Sequence, residues 1–102
     1  LIELNGFAFL KAKEVTFFGA FVDWGLEKDL LIPFKEQNLK LEEDRYYLTY
    51  LYLDESTDRL VGSTKVIQYE SIAVLSDLVT AYDTVLGQDA WLGVNATTEA
   101  VV

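Results

Sequence analysis

Neither histidine nor cysteine occurs in these 102 residues. The side chains that most often carry acid–base, thiolate and Cys/His metal chemistry at neutral pH are therefore missing. Carboxylate, amine and aromatic chemistry remains. Asp54, Glu55 and Asp58 fall in one polar stretch, but a calcium loop needs a longer series of alternating oxygen ligands. Asp in a turn ordinarily bonds its own backbone instead. No glycine-rich phosphate cradle, nucleophile elbow or metal-ligand spacing occurs. The chain reads as a non-enzyme that needs no cofactor and no metal.

Aromatic side chains are the more informative group: eleven of the 14 precede residue 66. An exposed ring can stack on a nucleobase, whereas a buried one fills a core. Both readings apply to Phe18 and Phe21, which lie three apart. They share a strand face only if Gly19 hosts a bulge or bend. Lys11 and Lys13 alternate with apolar residues beside Phe9, where two amines either neutralise phosphates or simply meet solvent. Lys35, Lys40 and Arg45 surround a long polar link, but the Glu42-Glu43-Asp44 run interrupts any basic patch there. Trp24 suits a core or a barrel rim. Tyr46, Tyr50 and Tyr52 share one strand parity and Tyr47 has the other, a pattern that cross-strand packing explains.

The net charge is −9, which opposes binding to a polyanion driven by phosphate neutralisation. The charge is uneven. All eight basic residues lie in 1–65 beside twelve acidic ones, while 66–102 holds five acidic residues and no base. Local grouping of Lys and Arg in the first segment therefore matters more than the total, and any binding there is weak and salt-sensitive.

The elements that must position these groups follow from periodicity. GFAFLKAKEV (6–15) alternates as a strand, with a bulge where its apolar face switches. Residues 18–24 form a second strand interrupted by Gly19, where a glycine marks a sharp bend or close backbone approach. Residues 29–33 form a third strand, stopped by Pro33. Residues 35–45 are non-periodic and suit a loop or one short helical turn. YYLTYLYL (46–53) is the clearest strand, and 59–65 returns as its hairpin partner after a turn at 54–58. Five short strands with one longer link match a small Greek-key barrel. Ile72, Leu75, Val79, Tyr82 and Leu86 then mark an amphipathic helix over 71–86, with Ser71 as N-cap and Gly87 at C′. Residues 88–102 show little pattern and should fray. The organisation expected is a domain over 1–67 and an acidic helical appendage over 68–102.

The run VTFFGAFVDWGLEKDLLIPFKEQ (15–37) resembles the signature of S1 RNA-binding domains, in which an F-G-A-F-V strand, a glycine turn and a further strand follow one another. Together with YLYLDESTDRL (50–60), it is most similar to the conserved virulence factor B family of bacterial proteins, which carry tandem S1-like domains and act as RNA-binding regulators. The resemblance covers about 60 residues and implies a mainly β, five-stranded Greek-key OB-fold barrel of the S1 type, followed by a C-terminal amphipathic helix. It implies base stacking on Phe18 and Phe21, and it matches the family's acidic and basic pair at the last hairpin to Asp54 and Arg59. Pro33 stands where the family has a histidine. Residues 66–102 depart from the pattern, because a helix occupies the place of a further repeat.

The expected function is that of a single-stranded RNA-binding module of a larger cytoplasmic bacterial regulator, with Phe18, Phe21, Asp54, Arg59, Lys11 and Lys13 at the interface. The alternative is a barrel that serves as a protein-interaction or spacer module without RNA. The apolar stripe of 71–86 can cover an open end of the barrel, dock on a neighbouring domain or protein partner, or self-associate. No charged leader followed by an apolar run is visible, and no uncharged stretch approaches the roughly 18–20 residues of a membrane span.

Overall fold

The computed structural model of the chain describes residues 2–86. Five strands, β1 (Phe7–Val15), β2 (Gly19–Asp23), β3 (Leu30–Pro33), β4 (Tyr46–Asp54) and β5 (Arg59–Ser63), form one sheet. Its order is β3-β2-β1-β4-β5, and every neighbouring pair is antiparallel. The sheet curls strongly into a half-barrel that brings β5 back towards β3. Gly62 of β5 faces Ile32 and Leu30 of β3 so closely that an added Cβ would lie 2.9 Å from Ile32 Cγ1.

Alternation along the strands decides which side chains fill the curl. Ala8, Leu10 and Ala12 of β1, Ala20 and Val22 of β2, Leu30 and Ile32 of β3, and Tyr47 and Leu51 of β4 make the inner core, joined by Leu41 from the long link. That link begins with a 3-10 turn, Phe34–Glu36. Two side chains tie it down: Gln37 Nε2 donates to the Ile32 carbonyl at 2.9 Å, and the Tyr47 hydroxyl accepts the Glu42 N–H at 2.8 Å. The expected bulge in β1 is present. Its register against β2 shifts between Ala12 and Glu14, so Val15, and not Glu14, packs towards the core. Lys13 is the extra residue, which breaks the alternation that placed it on one face with Lys11.

Gly19 opens β2 because nothing larger fits. A Cβ there would lie 2.8 Å from the Ile32 carbonyl oxygen and 2.9 Å from Pro33 Cα. The close approach anticipated at this position is thus real. It is made by the backbone of β3.

A second 3-10 turn, Val66–Gln68, leads to helix α1 (Ile72–Leu86). Ser71 Oγ accepts the Val74 N–H at 3.3 Å, the N-cap bond expected of it. Leu75 and Val79 are buried with Val66 against Leu48, and Phe7, Phe9 and Tyr50 pack around them. These strand residues alternate with the inner core, so α1 covers the outer face of β1 and β4. An end of the barrel, the first place expected for this helix, is not what it covers. The side chains of Tyr82, Val85 and Leu86, the Gly87 cap and the fraying of 88–102 lie outside the described residues. Among those described, no helix is long and apolar enough to cross a membrane.

Aromatic stacking joins α1 to the sheet. Tyr69, just before the helix, stacks on Tyr50 with centroids 4.0 Å apart and an interplanar angle of 13°. A ring pair of this kind is worth about 0.5–1.5 kcal/mol beyond its buried area. Tyr69→Ala should therefore leave the half-barrel intact while speeding amide hydrogen exchange in α1. Unchanged exchange would assign the anchoring to Leu75 and Val79 alone.

Tyr52 continues this row of rings and donates its hydroxyl to Glu36 Oε2 at 2.8 Å. Burial, then the neighbouring Glu36 carboxylate, push its pKa far above the ordinary value of 10. The folded state thus holds this proton more tightly than the unfolded chain does. Its contribution is complete below pH about 10 and falls as pH rises beyond that. Ultraviolet titration of the tyrosines should lose its latest step in Tyr52→Phe, while Tyr69, whose pKa burial also raises, still ionises late.

Candidate nucleic-acid interface

The face of β2 and β3 opposite the inner core carries Phe21, Leu31 and Pro33, each alternating with a buried residue. Because the sheet curls, the outer side of β5 with Arg59 and Val61 lies across from them. Asp54 at the end of β4 and Lys35 of the first 3-10 turn complete the walls. The result is an open groove of about 870 Å³, which Phe18, Trp24, Asp29 and Leu60 also line.

Local hydrogen bonding sets the ring positions. The β1–β2 turn closes through Thr16, whose N–H and hydroxyl both donate to the Gly19 carbonyl at 2.8 Å, while Thr16 Oγ accepts the Phe18 N–H at 3.3 Å. This turn lifts Phe18 out of the strand, where it is 47% exposed. The Phe18 ring meets Phe21 edge to face, with centroids 5.9 Å apart and planes at 88°. Residues three apart thus come together without sharing strand parity. Of the bulge or bend expected at Gly19, the structure has a bend, placed at the turn just before it.

The charged pair sits at the mouth of the β4–β5 hairpin, where Asp54 and Arg59 are register partners. Asp54 Oδ1 accepts the Ser56 N–H at 3.1 Å and the Ser56 hydroxyl at 2.7 Å. These bonds, with help from the Lys35 charge, hold its carboxyl below the usual carboxylate range. Asp58 takes a left-handed backbone conformation, φ 56°, which closes the hairpin. The Asp54–Asp58 stretch is a turn held by its own side chains. Among the described residues, no group of three or more acidic side chains is placed to hold a metal ion.

Four of the six residues expected at an interface (Phe18, Phe21, Asp54 and Arg59) therefore line one groove. Lys11 and Lys13 do not line it. Lys11 lies within the sheet opposite Asp23 and Tyr46. Lys13, displaced by the bulge, pairs with Asp29 at 3.4 Å and reaches only the groove's rim. Trp24 both packs on the inner core and lines the groove, as a rim residue should.

Leu31, Pro33 and Val61 also line the groove, and so does Lys35, whose place beside the long link leaves its role open in the sequence. The two-faced nature of β3 is hidden because all four of its residues are apolar. Lys35 was obscured by the acidic run that follows it in sequence but that does not line the groove. No protein-family model and no curated protein matches this chain.

Proposed function

We propose that the chain is a single-stranded RNA-binding module of the S1 type, a five-stranded OB-fold whose groove across β2, β3 and β5 takes the ligand. The observation that carries this reading is the convergence of Phe18 and Phe21, from the start of β2, with Asp54 and Arg59, from the β4–β5 hairpin, on one open groove. Bases stack on the exposed faces of Phe18 and Phe21, with Leu31, Pro33 and Val61 as the apolar floor. Lys35 and Arg59 face the phosphates. The module binds and carries out no catalysis. It works within a longer bacterial regulator of the conserved virulence factor B kind, where linked modules raise affinity by avidity.

The groove's charges are balanced, Lys35 and Arg59 against Asp29 and Asp54. That balance and the net charge of −9 favour a second reading, in which the groove holds an uncharged peptide segment of a partner protein.

Salt dependence separates the two. With two cations facing phosphate, the logarithm of RNA affinity should fall with the logarithm of salt at a slope of roughly −1.4. Fluorescence anisotropy with labelled single-stranded RNA, measured at several salt concentrations and beside a duplex control, tests this. Saturable binding of the single strand with that shallow slope supports the proposal. No binding at high micromolar protein and low salt excludes RNA for this chain and leaves the peptide reading.

A further inference from the structure

Phe17 is 93% exposed, the most exposed of the large apolar side chains among the described residues. It occupies the apex of the Thr16–Gly19 turn. The hydrogen bonds of that turn come from Thr16, the Phe18 N–H and the Gly19 carbonyl, and none uses the Phe17 side chain. The turn would form with a polar residue in this place. The ring does make one contact: it meets Phe18 edge to face, with centroids 5.1 Å apart and planes at 84°. Phe18 meets Phe21 in the same manner. Three rings thus run in an unbroken zigzag from solvent into the groove, and the outermost is almost wholly exposed.

We propose that Phe17 is a third stacking platform, which holds one further base of single-stranded RNA at the mouth of the groove. This rests on the RNA reading of the groove and adds to it the shape of the bound strand. Bases lying flat on Phe17 and on Phe18 are turned nearly at right angles to each other, because the rings beneath them are. Neighbouring bases in a helical strand remain parallel. The ligand is therefore splayed at this step, which a flexible single strand can adopt and a duplex cannot. Stacking on a planar face tolerates any base, so Phe17 extends the footprint without adding sequence preference.

A length series of labelled oligoadenylates, from two nucleotides upward, tests this on the full 102-residue chain. Wild type should gain affinity in a step when the oligomer becomes long enough to reach Phe17. Phe17→Ala should lose that step, about five- to tenfold, the lower range for one stacked base. It should bind the shortest oligomers as wild type does. Phe17→Tyr should keep the step, and Phe17→Leu, apolar but not flat, should lose it. Equal length dependence in wild type and Phe17→Ala overturns the third platform and leaves the groove reading standing. A step retained by Phe17→Leu overturns stacking at this position. Absence of binding by wild type at every length overturns the RNA reading itself and this inference with it.

Discussion

Replacing Phe18 and Phe21 together with alanine should weaken single-stranded RNA binding by at least about thirtyfold, since each base–ring stack contributes roughly 1–3 kcal/mol. The groove's electrostatics cannot compensate. Lys35 and Arg59 share it with Asp29 and Asp54, so most of the affinity has to come from planar contacts. The loss should be traceable to the site and not to unfolding, because Phe18 is 47% exposed and the buried members of β2 are Gly19, Ala20 and Val22, not Phe21. Circular dichroism and thermal melting of the double variant provide that control. If the variant melts like wild type and still binds RNA undiminished, stacking on these rings is not how the strand is held. Phe18→Leu and Phe21→Leu sharpen the result: both keep apolar volume and lose the flat face, so they should fall nearly as far as alanine.

Gly19→Ala should be among the most destabilising single changes in the sheet. The new methyl would meet the Ile32 carbonyl oxygen at 2.8 Å and Pro33 Cα at 2.9 Å. Both are backbone atoms, and they cannot move without opening the β2–β3 pairing. Overpacking of this kind costs about 1–3 kcal/mol. A domain of this size should melt several degrees lower for each kcal/mol lost. Gly62→Ala is the informative comparison. Its methyl would also be crowded, with 2.9 Å to Ile32 Cγ1, 3.0 Å to Leu30 Cδ2 and 3.1 Å to Thr49 Cγ2. Those are side-chain atoms of buried residues that can shift by a few tenths of an ångström without breaking a strand pairing, so the smaller loss should fall here. The reverse order of melting temperatures would mean that β3 adjusts more readily at its backbone than the core does at its side chains. Because Gly19 also begins the strand that carries Phe21, its alanine variant should lose RNA affinity along with stability, whereas Gly62→Ala should lose mainly stability.

Local pattern was enough for the elements. Alternation in 6–15 and 46–53, the glycine at 19, the proline at 33, and the 3.6-residue stripe after Ser71 place five strands and one helix within a residue or two of β1–β5 and α1. These signals are legible because they depend on the nearest residues: side chains alternate across a strand, Pro ends a strand, and Ser caps a helix. The bulge in β1 was legible for the same reason, since the switch of apolar parity between Ala12 and Val15 is written in the residue types. Phe18 and Phe21 were recognisable by type and by the resemblance of their surroundings. Asp54 and Arg59 were recognisable as a hairpin pair.

Direction and company were decided elsewhere. Whether Phe18 faces solvent depends on the Thr16–Gly19 hydrogen bonds, which spacing does not express. Lys13 was lost to Asp29, sixteen residues away. Lys35 gained a place on the groove because the first 3-10 turn follows directly on β3 and sets it where its charge reaches Asp54. Helix α1 went to the outer face of β1 and β4 because Phe7, Phe9 and Leu48 form an apolar surface there that only strand pairing assembles. The sequence by itself thus determined the periodicities, the turns and the kinds of side chain available for stacking and charge. Tertiary structure alone decided which of them meet. The physical reason is that a groove between β3 and β5 exists only once the sheet has curled, and that curl sums the twist, the bulge and the close glycine contacts of all five strands.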